Sequence, residues 1–343
     1  MMVVFTGGTG GTKLVQGLQQ VVAPEELTVV VNTGDDIEWW GLHVSPDIDS
    51  VLYGLGGLLS KDRGWGVEGD SFRCLERMKE MGQPGWFSLG DLDLATHLTR
   101  TAMLRAGKTL SEATAELAAK FGIRSGVLPM SDEKVSTMLD TSKGTLTFQE
   151  YFVRERHQVD VQAVRFEGTE LAHPAPGVLD AIASADAIVF APSNPVTSIG
   201  PILAVPGVRD ALRNTPAPIA AVSPIVGGAA VSGPAAQLMK MKGWPSTIDG
   251  VAEAYEDFLD VLVVDNADEK AISGRASAIS EQNVERRAKA FAKVHGSPST
   301  IRDSRSTGIR FAATNTMMHT LDDKRNLAAF LLDACATATT SKA

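Results

Sequence analysis

Short apolar runs that end in polar or glycine-rich turns recur along this chain, and between them apolar residues return at helical spacing. Residues 2–5 form the first run and read as a buried strand, with Leu14, Leu18, Val21 and Val22 following at helical intervals. Residues 28–31 are a second strand, β-branched throughout, that stops at Asn32. The pattern returns at 187–191, 219–222 and 261–264, whose runs end in Pro192-Ser193-Asn194-Pro195, Ser223-Pro224 and Asp265. Helical stretches fall over 178–185, 202–213, 234–242 and 250–258, a last strand over 310–314 and a closing amphipathic helix over 321–336. Residues 144–153 and 158–166 read as strands joined at 154–158. Thr109 with Glu112 makes a capping box for a helix that stops at Gly122.

This alternation predicts an α/β fold: a Rossmann-like, doubly wound, mainly parallel sheet with helices on both faces. Residues 1–36 and 125–343 supply that nucleotide-binding core, with 267–308 a polar insertion that carries one helix over 281–294. Residues 37–124 form a smaller loop- and helix-rich part containing much Gly, Trp and Asp. Ligands of such sheets bind beyond the carboxyl ends of the strands.

The first strand end is the loop Thr6-Gly7-Gly8-Thr9-Gly10-Gly11-Thr12-Lys13. Between a strand and a helix, backbone N–H groups and the helix dipole hold phosphate, and glycine lets the backbone come close. Gly7, Gly8, Thr9, Gly10 and Lys13 are therefore candidate phosphate ligands. The loop fits neither familiar fingerprint. Lys13 stands at the third glycine position of the dinucleotide motif, and Thr12 and Leu14 flank the lysine where a P-loop needs Gly and Ser or Thr. A ligand-free turn is the plain alternative. Asn32 occupies the place where a nicotinamide-binding fold carries an acid for ribose, which argues against a dehydrogenase. Ser193, Asn194 and Ser223 add strand-end polar groups to the same crevice, although these residue types also serve turns by themselves.

Three aspartate pairs, Asp35 with Asp36, Asp47 with Asp49 and Asp91 with Asp93, lie in the first third. Mg²⁺ takes one or two carboxylates together with waters and substrate oxygens, so acids beside a phosphate loop are candidate metal ligands. For any single pair, solvation or helix capping is the alternative. His97 and Arg100 follow the last pair, and a lone histidine is by default structural. Trp39, Trp40, Trp65, Trp86 and Phe87 fall in the same third, which suits a flat ring stacked beside a polar tail, with core packing as the default.

Composition narrows the classes. The 343 residues are 44% hydrophobic and 21% charged, with a formal net charge of −9 that argues against a nucleic-acid surface. No run approaches the roughly 18–20 apolar residues that span a bilayer. Cys74 and Cys335 are the only cysteines and form neither a zinc nor a disulfide pattern. With no leader pattern before the first strand, a cytoplasmic location is expected. No G-x-S-x-G segment occurs.

A run of motifs in fixed order resembles the 2-phospho-L-lactate transferases, the CofD- and FbiA-like enzymes of coenzyme F-420 biosynthesis. They are Thr6-Gly7-Gly8-Thr9-Gly10, Val30-Val31-Asn32-Thr33-Gly34-Asp35-Asp36, Ser45-Pro46-Asp47-Ile48-Asp49 and Arg63-Gly64-Trp65-Gly66. Leu89-Gly90-Asp91-Leu92-Asp93-Leu94-Ala95-Thr96-His97, Leu128-Pro129-Met130-Ser131-Asp132 and Phe148-Gln149-Glu150 continue the series. It closes with Ala191-Pro192-Ser193-Asn194-Pro195, Ser198-Ile199-Gly200-Pro201-Ile202, Ser223-Pro224-Ile225 and Val231-Ser232-Gly233-Pro234. The resemblance implies a Mg²⁺-dependent transferase acting on small molecules, with a homodimer as the expected assembly. The donor would be a guanosine diphosphate ester of a three-carbon acid, and the acceptor the ribityl hydroxyl of the deazaflavin Fo, with GMP leaving. It implies Fo contacts at Asp49 and Ser88; His97 is a further candidate for the Fo site, and Asp49 is separately a candidate general base. Asp35, Asp36 and Asp47 would hold the metal, and Asn32, Ser193, Asn194 and Ser223 would join the glycine loop around the nucleotide. A non-catalytic UDP-sugar-binding regulator of the gluconeogenesis-factor type is the alternative within the same fold.

Overall fold

Side-chain alternation along β1 (Met2–Thr6) divides its residues between two cores. Val3 and Phe5 enter one, Met2 and Val4 the other. A strand buried on both faces in this way needs helices above and below it. The computed structural model describes residues 1–272 and 308–340. Most of the expected insertion, including the helix expected over 281–294, lies outside the described residues.

After β1 come β2 (Leu27–Val31), the hairpin β3 (Ile37–Trp39) and β4 (Leu42–Val44), and β5 (Gly126–Pro129). A separate antiparallel sheet follows, formed by β6 (Ser136–Thr141), β7 (Gly144–Thr147) and β8 (Val161–Glu167). The chain then returns through β9 (Ala187–Phe190), β10 (Ile219–Val222), the small hairpin β11 (Ile225–Val226) and β12 (Ala229–Ala230), β13 (Val261–Asp265) and β14 (Arg310–Thr314). Seven of these strands form one sheet in the order β14-β13-β10-β9-β1-β2-β5. Every pairing within it is parallel. From β1 the chain moves outward to β2 and β5, then crosses back to β9 on the other side of β1. The carboxyl ends of β1 and β9 therefore face a topological switch point, where α/β sheets bind ligands.

Residues 37–124 hold more helix than their Gly- and Asp-rich sequence suggested. After α1 (Thr9–Leu18) they contribute α2 (Pro46–Leu55), α3 (Arg73–Glu80), α4 (Asp91–Arg105) and α5 (Leu110–Lys120). The capping box of α5 is formed as expected, with Thr109 accepting from the Glu112 amide and Glu112 accepting from the Thr109 amide. α2 escaped the reading because Ser45-Pro46 looks like a turn, whereas proline at the first helical position is preorganised for a helix. α4 escaped because its buried face is polar, carrying Asp93, Thr96, His97, Arg100 and Thr101.

Other differences are local. Residues 144–153 are not one strand, since β7 gives way to a π-helical turn over Glu150–Arg154. The helix expected over 202–213 is two helices, Ile199–Ala204 and Val208–Asn214, separated at Pro206-Gly207. The C-terminal helix, Leu321–Thr340, packs against α1 where Gly17 leaves no room for a side chain: a Cβ there would lie 2.1 Å from the Lys324 carbonyl oxygen.

Candidate active site

α1 starts inside the glycine loop, so its first amides point beyond the end of β1. Two neighbours close on that loop. The Gly7 N–H donates to Ser193 Oγ at 3.1 Å, which ties the end of β1 to the end of β9. The Asp47 carboxylate comes from the first turn of α2 and lies against Gly8, where an added Cβ would sit 2.4 Å from Asp47 Oδ1. Gly54 makes this approach possible, because a Cβ on it would meet the Thr12 methyl at 2.2 Å. Glycine is needed at Gly8 and Gly54 for close approach of backbone and side chain.

Asn32 is fully buried at the end of β2, and its side chain is wholly committed. Its Nδ2 donates to Asp47 Oδ2 at 2.9 Å and its Oδ1 accepts from the Gly34 amide at 2.8 Å. Asn32, expected among the nucleotide ligands, thus orients Asp47 and shapes the turn toward Asp35. Burial pushes the Asp35 carboxyl well above its ordinary range, and the charge of Asp47 adds to the effect. Burial likewise pushes Asp47 up to about 7, against the lowering influence of Asn32 and the Gly8 amide. Asp36 is raised by burial too, but it is engaged, accepting from Ser45 Oγ at 2.6 Å and lying 3.0 Å from His43 Nε2.

The three expected aspartate pairs therefore divide. Asp47 lies against the glycine loop and Asp35 is close enough to feel its charge, whereas Asp36 is held by His43 and Ser45. Asp91 turns back to the amino end of α3, accepting from the Cys74 amide at 3.0 Å and from Ser71 Oγ. Asp93 accepts from Tyr53 Oη at 2.6 Å inside the protein.

Beneath α2 lies a polar network that the residue pattern did not announce. Arg100 has no solvent exposure and places both terminal nitrogens on the two Asp49 oxygens, the longer contact being 3.1 Å. The His97 ring stands between two acids, with Nδ1 3.5 Å from Asp49 Oδ2 and Nε2 3.2 Å from Asp93 Oδ1. Burial of Arg100 opposes its charge, but Asp49 outweighs that and raises its proton affinity. His97 is 1% exposed, so in this arrangement its ring contacts protein groups and offers no edge to a ligand.

The aromatic residues do gather. Trp39 stands at the centre, 4.7 Å from Trp86 edge-on and 5.9 Å from Phe87. Trp40 has φ 52°, rare for a bulky residue, and its indole N–H is anchored on the Pro84 carbonyl at 3.0 Å. The Arg154 guanidinium lies 5.7 Å above the Trp86 ring. Ser88 follows this cluster and is half-buried. Trp65 belongs elsewhere, beside Phe72 and Arg63.

At the far strand ends local turn chemistry prevails. Asn194 Oδ1 accepts from the Val196 amide at 2.9 Å. The Ser223 hydroxyl is closed on Ile225, donating to its carbonyl and accepting from its amide, and is 1% exposed. Lys13 is half-buried in the second turn of α1.

The family model described as 2-phospho-L-lactate transferase CofD matches residues 2–298. The chain belongs to the CofD family. This CofD-family chain is 45% identical over 267 residues to the 2-phospho-L-lactate transferase of Methanosarcina mazei, covering 78% of this chain and 88% of that protein. It is 46% identical over 284 residues to the phosphoenolpyruvate transferase of Kitasatospora aureofaciens, covering 81% and 88%. Among solved structures, a UPF0052-family protein of Bacillus halodurans superposes with a TM-score of 0.56 at 17% identity, over 96% of this chain and 98% of that one. That likeness concerns the fold.

Among the described residues, no three His, Cys, Asp or Glu side chains converge as a metal cage, and no helix is long and apolar enough to cross a membrane. Mg²⁺ does not need such a cage, since one or two carboxylates with substrate oxygens suffice. Asp35 and Asp47 fit that role. Asp35 Oδ1 is buried without a partner, and the hydroxyls of Thr33, Thr137 and Thr197 are also unpartnered.

Proposed function

We propose that this CofD-family chain moves a 2-phospholactyl or phosphoenolpyruvyl group from a guanosine diphosphate ester to the ribityl hydroxyl of the deazaflavin Fo, releasing GMP, in coenzyme F-420 biosynthesis. One observation carries the reading. The Asp47 carboxylate sits at the amide-rich start of α1, beside a second buried acid, Asp35. A phosphate brought to those amides would meet two carboxylates, and a divalent cation is the group that reconciles all three. Mg²⁺ held by Asp35 and Asp47 would supply neutralisation of charge on the diphosphate. Asp36 is left out because His43 and Ser45 already hold it.

The chain's own groups position the reactants. The amides at Thr9 and Gly10, with Lys13, would face the donor diphosphate, while the Gly7 amide is spent on Ser193 and the Gly8 amide on Asp47. Ser193 fixes the loop through Gly7. The Trp39–Trp86–Phe87 cluster and Ser88 flank the acceptor ring. Asp49 is buried and held by both terminal nitrogens of Arg100, so it anchors the first turn of α2 rather than acting as a free general base. In the transfer, the ribityl oxygen would form a bond to the phosphorus that bears the acid, the bond from that phosphorus to the bridging oxygen would break with its electron pair leaving on GMP, and the hydroxyl proton would pass to water. Preorganised position and charge are the main help such a reaction needs.

The experiment is mass spectrometry of the product formed from Fo, Mg²⁺ and each guanosine diphosphate donor in turn. The expected result is one Fo phosphodiester with stoichiometric GMP. Absence of any Fo phosphodiester, together with no change in Fo fluorescence on titration, overturns the proposal in favour of a binding protein of the same fold.

A further inference from the structure

The segment Arg63-Gly64-Trp65-Gly66 has no part in the assignment above, yet it is built against the glycine loop. Its loop is closed at the base by an antiparallel bridge between Leu59 and Val67. Within it the Ser60 amide donates to the Gly66 carbonyl at 3.0 Å, and the Gly64 amide donates to the Ser60 carbonyl at 2.9 Å. Gly64 and Gly66 take φ of 72° and 68°, a backbone region that other residues rarely adopt. The tip rests on the start of α1, since a Cβ on Gly64 would lie 3.6 Å from the Thr9 methyl.

Arg63 is held but not neutralised. Its guanidinium lies 5.6 Å from the Trp65 ring centre and 5.2 Å from that of Phe72, and one terminal nitrogen donates to the Val67 carbonyl at 2.8 Å. Its Nε is buried without a partner, and no carboxylate pairs with it among the described residues. An arginine packed against two rings, with no acid partner among the described residues, keeps donors that an anion can use. Packing on aromatic faces pre-orders the planar fork, so little freedom remains to be lost when an anion arrives.

We infer that Arg63 is a phosphate clamp: its guanidinium donates to the diphosphate of the donor seated on the amide end of α1. This inference rests on the proposed donor, and it adds a residue for which that reading had no use. It names a phosphoanhydride as the group recognised.

The test is calorimetric titration of the full-length protein with GDP and, separately, inorganic pyrophosphate, each with Mg²⁺, for wild type, Arg63→Gln and Arg63→Lys. Fo binding by fluorescence and the melting temperature serve as controls. Loss of a charge-assisted hydrogen bond predicts at least about tenfold weaker binding of both anions to Arg63→Gln. Fo affinity and melting should be unchanged. Arg63→Lys should fall between, because it keeps the charge and loses the fork, and it decides the matter if Arg63→Gln does not fold. Unchanged anion affinity in Arg63→Gln overturns the clamp and leaves the transferase reading intact. Equal loss of Fo affinity and stability also overturns it, by showing a structural loop. If wild type binds pyrophosphate but not GDP, the guanosine donor is wrong while Arg63 is still judged on pyrophosphate. If wild type binds neither anion, the clamp falls, and the product assay judges the transferase separately.

Discussion

Asp47 concentrates the electrostatic problem of this site. Its carboxyl is raised to about 7 from the ordinary 3.8 by burial, with the charges of Asp36 and Asp49 adding to the effect. Across that window the folded chain keeps a proton that the unfolded chain has lost, so metal-free stability falls as pH rises from about 4 to 7. A cation has to displace that proton below pH 7. The Mg²⁺ dissociation constant should therefore rise by up to about tenfold per pH unit below 7 and level off above it. Thermal melts with and without Mg²⁺ should show a larger shift at pH 8 than at pH 5.5. Asp47→Asn should weaken Mg²⁺ binding and reduce its pH dependence to the part that Asp35 contributes, and reduce transfer by about 10²-fold or more. A Mg²⁺ response in Asp47→Asn equal to wild type would remove this residue from the metal site.

Arg100 raises a different residue-scale question, because its partner Asp49 is nearly as buried as it is. Removing one member of a buried pair leaves the other charge uncompensated, at about 3–5 kcal/mol. Arg100→Met should lower the denaturation midpoint accordingly, and Asp49→Asn should do so nearly as much. If Arg100→Met unfolds with the wild-type midpoint, the pair does not hold α2 to α4.

At the scale of elements, the site depends on how closely α1 and α2 pack. Gly54 sets that distance, since even one added carbon would collide with Thr12. Gly54→Val should destabilise by about 1–3 kcal/mol through overpacking. It should also push the first turn of α2, with Asp47, away from the glycine loop. Steady-state kinetics should show a rise in KM for the donor that exceeds any change in KM for Fo. An equal effect on both substrates would mean that the helix moves as one body with the acceptor side. α5 shows the opposite case, a helix whose capping box is local and complete. Thr109→Ala should cost about 1 kcal/mol of stability and leave turnover unchanged in the same assays.

On the scale of the whole molecule, the single parallel sheet places the ends of β1 and β9 side by side although they are far apart in the chain. A ligand bound at that switch point contacts both halves of the sheet, so it stabilises the fold as a unit. GDP with Mg²⁺ at 100 times its dissociation constant should add about 2.7 kcal/mol, visible as a rise of the melting temperature. Fo should add its own increment. A melt unaffected by saturating Fo would argue that the Trp39 cluster is core packing alone.

Six of the seven strands of the main sheet and the glycine loop were legible from the sequence because each is a local pattern; β5 was not, since its apolar run is only Val127-Leu128 between Gly126 and Pro129. Residues 2–5, 187–191, 219–222 and 261–264 are apolar runs that only a sheet covered on both faces can bury, and their order gives the doubly wound fold. The Thr109 box was equally local. α4 was not legible, because its inward face is occupied by Asp93, His97 and Arg100 and no apolar period marks it. The fate of each acid was also beyond the sequence. Asp35, Asp36, Asp47, Asp49, Asp91 and Asp93 look alike as letters. Only three-dimensional neighbours made Asp91 a cap, Asp49 a buried ion-pair partner and Asp47 the carboxylate at the glycine loop. Hydrophobic pattern determines which segments are buried and in what form, since burial follows from the residues themselves. The role of a buried polar group depends on its partners, which come from distant parts of the chain and exist only once the sheet has closed.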